Sequence, residues 1–87
     1  MPQMGADLEQ LAALRAVLHQ NGQVIEQLTA GMRQQLAATN WHGPAAERFR
    51  GAWSSEHEPA LRRLQAALHE AGTEVGRHHQ ALHQASR

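Results

Sequence analysis

From Leu8 to Leu36 the large apolar residues recur at helical spacing. Leu11, Leu18, Ile25 and Met32 form a strict seven-residue row, and Leu14 and Leu28 each sit three residues after a member of it. Together they make an a/d seam, widened by Leu8, Val17, Val24 and Leu36. Asn21 and Gln35 occupy the remaining d-like sites, where a polar residue either fixes register or lies at the edge of the stripe. Asn21-Gly22 is a turn signal, and glycine costs about 1 kcal/mol against alanine inside a helix. The apolar phase nevertheless runs unbroken from Leu18 to Ile25. The pattern therefore predicts one continuous helix over about 5–39.

A second pattern runs through Phe49, Trp53, Leu61, Leu64, Leu68, Val75 and Leu82, with Ala60, Ala67 and Ala71 filling gaps on the same side. Pro59 interrupts it, because an interior proline loses a backbone bond and clashes one turn back. Ser55 to Glu58 has the spacing of a capping box, so the helix either restarts there or continues with a kink. Between the two patterns, Thr39 and Asn40 suit a helix C-terminus, Asn tolerating a left-handed conformation. Gly43-Pro44 suits a helix start, proline being favoured at the first helical position. The expected fold is all-α: a single domain over 1–87, with a turn at 40–43 and a second helix over about 44–84, kinked or restarted near 55–59. Each arm of this antiparallel helix-turn-helix hairpin is roughly 50 Å long at 1.5 Å per residue. The stripes are wider than two helices can cover, and dimerisation into a four-helix bundle is the economical completion.

Composition narrows the class. At 87 residues the core is marginal alone, and with no cysteine there is neither disulfide nor thiolate metal ligand to staple it. Eight arginines and no lysine balance eight acids, so the chain lacks the basic footprint of a nucleic-acid or anionic-membrane binder. A helix-turn-helix DNA reader would have shorter helices and a basic chain. No apolar run reaches the length of a membrane span, and "MPQMGADLEQ" carries acids where a signal peptide carries basic residues.

The chemistry-bearing candidates are few. His79 and His83 stand four apart and share a helix face, which makes them weak candidates for a metal such as Zn²⁺, but no local motif adds a third ligand. Seven histidines add positive charge as pH falls through about 6.5. No nucleophile elbow or phosphate loop is present, and Glu56 and Glu58 point to different sides of a helix. The expectation is a non-enzymatic protein without a cofactor.

The most specific stretch is "WHG" at 41–43, followed by "PAAERF" and then Trp53. It resembles the WXG family, the ESAT-like helical hairpins exported by type VII secretion systems. Trp41, Gly43, Ala45, Ala46, Phe49 and Trp53 follow the family's order, and "HQNGQVIEQL" is similar to its first helix, so the resemblance covers essentially the whole chain. It implies that Trp41 and Gly43 mark an export-recognition turn at the end of a dimer. Leu11, Leu14, Leu18, Ile25, Leu28, Met32, Phe49, Trp53, Leu61, Leu64, Leu68 and Val75 are the expected hairpin seam and partner face. The implied partners are a homologous hairpin or an effector-fused one, and the type VII secretion ATPase. The implied route is secretion from a cytoplasmic dimer without a cleavable signal peptide. The family's tail motif, Tyr-x-x-x-Asp or Tyr-x-x-x-Glu, has no counterpart: the chain has no tyrosine, and "EVGRHHQALHQASR" has no acid after Glu74. A heterodimer that borrows the tail from its partner is therefore favoured over a homodimer. The alternative is a cytosolic helical adaptor or chaperone that is not exported.

Overall fold

The computed structural model describes residues 7–85, so the expected helix start at 5 and 6 lies outside the described residues. Helix α1 spans Leu8–Ala38 without a break at Asn21-Gly22. Asp7 caps it, its carboxylate accepting the Gln10 N–H at 3.0 Å and its carbonyl the Leu11 N–H at 2.9 Å. Residues 39–43 reverse the chain. Helix α2 (Pro44–Ala52), a π-helical turn (Trp53–His57) and helix α3 (Glu58–Ala85) then follow as one rod. The result is an antiparallel helical hairpin, 66 × 18 × 17 Å. No helix among the described residues is long and apolar enough to cross a membrane.

The π-helical turn resolves the question posed by Pro59. In an α-helix the Ser55 carbonyl takes the N–H of residue 59, which proline lacks, and the ring crowds that carbonyl. Here the chain widens just before the proline, and the Glu58 N–H bonds back to the Trp53 carbonyl, five residues away. Ser55 does not cap a new helix; its hydroxyl donates to the Gly51 carbonyl at 2.7 Å. The extra residue also resets the phase. The inward face steps through Ala46, Arg50 and Trp53, then five residues on to Glu58, and continues through Leu61, Gln65, Leu68, Gly72 and Val75. Gln65 thus takes the half-buried site expected for Leu64, which is exposed.

The α1 seam is likewise displaced from the expected phase. Leu11, Leu18, Ile25 and Met32 do face α3, half-buried. Their companion row, however, is Leu8, Gly22, Thr29 and Leu36. Leu14 and Leu28 stand out of the hairpin seam, 46% and 52% exposed. The reason is the closeness of the helices at mid-seam, which needs small residues. His69 packs against Gly22 and His19 packs against Gly72; a Cβ at either glycine would lie 2.8 Å from the opposing ring. Thr29 is buried because its hydroxyl is satisfied within its own helix, donating to the Ile25 carbonyl at 2.7 Å.

One antiparallel register holds along the rod. Gly76 meets the Arg15 side chain, Gln65 donates to Glu26 at 3.2 Å, and Arg33 reaches Glu58. Glu58 ties the helices together just beyond the π-turn, accepting from Arg33 on α1 at 3.2 Å and from Arg62 on α3 at 3.0 Å. Its side chain is only 14% exposed. The hydrogen bond from Arg33 is the largest of the influences that hold its carboxyl below the ordinary value of 4.5, aided by the charges of Arg33 and Arg62 against an opposing desolvation. The buried Trp53 indole N–H adds the smallest pull without reaching a hydrogen bond of good geometry.

Gly31 has open space around its absent Cβ, whereas Gly22 and Gly72 do not. Gly31→Ala should therefore raise stability by up to about 1 kcal/mol, while Gly22→Ala and Gly72→Ala lower it by about 1–3 kcal/mol, as thermal denaturation will show. For Glu58 the ionised form is favoured in the folded state. Its contribution is present above the ordinary carboxylate value and is lost as pH falls through the lowered one. Glu58→Gln should melt below the parent at about pH 6 and lose less stability than the parent on acidification to about pH 3. Parallel declines in the two proteins count against this assignment.

Candidate functional site

The bend is built from a C-terminus that lacks its own counter-charge. No basic residue lies in the last turn of α1, so its carbonyls need donors from elsewhere. Arg50, on α2, supplies them. Its Nη1 donates to the Trp41 carbonyl at 2.7 Å, and its Nη2 to the carbonyls of Leu36 at 3.1 Å and Thr39 at 3.0 Å. Thr39 leaves the helix in an extended conformation, its hydroxyl donating to the Gln35 carbonyl at 2.6 Å. Asn40 does not adopt the left-handed conformation that the sequence suggested; among the described residues only Gly43 has a positive φ, at 108°. That angle is strained for any residue with a side chain, and it aims the chain into Pro44 at the first position of α2. Ala46, 1% exposed, closes the inside of the bend.

This frame holds Trp41 outward. The indole is 40% exposed and meets the Phe49 ring at a centroid distance of 5.8 Å and a 55° tilt. Phe49, expected in the hairpin seam or on the partner face, lies outside the seam and belongs to this exposed aromatic pair, because α2 turns it toward the bend. Trp53 is half-buried in the π-turn, its ring 6.2 Å from that of His57. Arg50 carried no signal in the apolar pattern. The pointer to it is the missing cation in the last turn of α1, with an arginine soon after the turn.

The long sides of the rod differ from each other. Leu14, Val17, Val24 and Leu28 lie about a quarter-turn round α1 from its seam. The same rotation on α3 carries Ala60, Leu64, Ala67 and Ala71. Because the helices are antiparallel, these flanks open on one side of the hairpin, which is mainly apolar, with Asn21 and Gln35 interrupting the row of Leu14 and Leu28. The opposite side is polar. Arg15 and His19 share a hollow there with Thr73, Arg77 and Gln80, and Glu26 and Arg33 share another with Arg62 and Gln65. Leu61, Leu68 and Val75 are half-buried along α3. Near its end the rings of His79 and His83 stack 6.3 Å apart at 10°. No group of three or more metal-type side chains is assembled among the described residues.

The fold and its bend define the class: an all-α helical hairpin with a fixed aromatic turn. Compared with protein-family models, curated proteins and solved structures, the chain has no match.

Arg50→Ala should unfasten the bend. The expected loss is about 1–3 kcal/mol in thermal or urea unfolding, together with increased quenching of Trp41 fluorescence in a Trp53→Phe background. Unchanged quenching means that Arg50 does not fix the indole.

Proposed function

We propose that this chain is a WXG-type, ESAT-like helical hairpin, non-enzymatic, which pairs with a second hairpin into a four-helix bundle. In this reading it acts as a substrate of type VII secretion or as the carrier of a co-secreted partner, leaving the cytoplasm as a folded dimer. The observation that carries the reading is Trp41, exposed at the tip of a bend whose backbone is fastened by Arg50 and Gly43. Exposed aromatics on rigid backbone are favoured recognition anchors. The apolar side supports the pairing. The chain exposes 6687 Å² of surface, against about 5,100 Å² for a compact chain of this mass. The excess, about 1,600 Å², is roughly twice the ~800 Å² that a standard interface removes from each partner, which leaves room for an extensive pairing.

The partner is expected to be a homologous hairpin, and Trp41 with Gly43 to present the export mark to the secretion ATPase. Size-exclusion chromatography with light scattering, alone and with co-expressed candidate hairpins, tests the pairing. Val24→Asp or Leu28→Asp should abolish assembly while leaving the helical signal of the monomer, since each places a charge on the covered face. Trp41→Ala should leave assembly intact and reduce export. Assembly with a non-hairpin protein, together with no export of either chain, favours a cytosolic adaptor instead.

A further inference from the structure

The middle of the seam holds a contact that the pairing of hairpins does not use. His19 on α1 and His69 on α3 meet through their Nδ1 atoms at 3.2 Å. Their ring centroids lie 5.5 Å apart, about as far as that nitrogen contact allows, so the two Nδ1 atoms meet head-on. A neutral imidazole has one donor and one acceptor nitrogen. The contact therefore requires one ring to carry its proton on Nδ1 and the other to present a bare Nδ1. The head-on approach leaves no shared vertex for a cation, and Arg15 and Arg77 border the pair.

We propose that the His19–His69 pair is an acid-sensitive latch that holds the hairpin closed through a single shared proton. One added proton leaves an imidazolium donating to a neutral imidazole and keeps the bond; a second makes both rings imidazolium, so that both Nδ1 atoms are donors and the bond has no acceptor. Two positive charges then face each other where a hydrogen bond stood. The rings have little room to retreat. His69 already rests on Gly22 and His19 on Gly72, each within what would be close contact of a Cβ. Relief comes only by parting the helices or by swinging a ring into the hollows beside them.

Those hollows lie on the polar side, away from the apolar flank, so the second proton has access whether or not that flank is covered. One, of about 520 Å³, is lined by His69, Glu70, Thr73, Glu74 and Arg77. The other, of about 310 Å³, is lined by His19 with Arg15 and Arg77. The charged groups facing the pair are thus Arg15 from α1 and Glu70, Glu74 and Arg77 from α3.

The test compares thermal unfolding of the whole chain at about pH 7.5 and about pH 5.5, a window that spans ordinary imidazole titration. The parent should lose stability on acidification. The double variant His19→Phe/His69→Phe keeps a ring in each glycine cradle but has no proton to gain. Its acid-induced drop in midpoint should be smaller by roughly 4–8 °C, the effect of one net hydrogen bond in a domain of this size. His42→Gln, on the exposed bend, should leave the parent's drop unchanged. An undiminished drop in the double variant overturns the proposal. Nitrogen-15 NMR of the unaltered histidines decides even if that variant fails to fold. One protonated and one bare Nδ1 at neutral pH supports the latch; two bare Nδ1 atoms overturn it.

Discussion

The close approach of α1 and α3 at Gly22 and Gly72 is the constraint on which the rest of the hairpin depends. Two long antiparallel helical rods have almost no interior, and no large side chain among the described residues is fully buried. What they have instead is a reciprocal fit, a histidine ring from each helix lying over the glycine of the other. That fit fixes rotation and register together. Once His19 faces Gly72 and His69 faces Gly22, Arg33 falls opposite Glu58 and Glu26 opposite Gln65. The tightness also excludes large side chains from the mid-seam, so the leucines and valines flanking it are left to face outward.

The bend and the π-helical turn solve complementary problems at the other end of the rod. Arg50 gives the end of α1 the positive charge that its own last turn lacks. The π-turn then lets Arg50 on α2 and Trp53 in the turn itself point inward while α3 presents Glu58, Gln65 and Gly72 on the same line. Without the widened turn, the phase that serves the bend would not serve the seam.

Much of the hairpin was legible in the sequence. The unbroken heptad phase carried α1 through Asn21-Gly22, and Gly43-Pro44 marked the start of α2 at its residue. The phase of the seam was not legible, for a physical reason. Apolar periodicity records everything a helix buries, including what a second molecule covers, and it does not separate the two. Leu14, Leu28 and Leu64 therefore competed with Gly22, Thr29 and Gln65 for the same assignment, and hydrophobicity alone chose the leucines. Thr29 is buried through a bond to its own helix, which no pattern count sees. Arg50 and the histidine pair act across the hairpin between residues 14 and 50 positions apart. Only a register can bring such residues together, and the register was the quantity in doubt. The bend is the reverse case: Trp41 and Gly43 were marked by local turn chemistry, while Phe49 was drawn into the seam by its size.

The π-helical turn also gives the chain a reading frame in three dimensions. Its one extra residue is an insertion held in place by Pro59, and everything downstream is phased to it. Deleting a single residue between 53 and 57 would rotate α3 by about 100° about its own axis. Gly72 would turn away from His19, though not one residue of α3 had changed. The seam therefore depends on the length of that short stretch as much as on the residues of α3 itself, and the spacing between bend and seam is as much a part of the fold as any side chain.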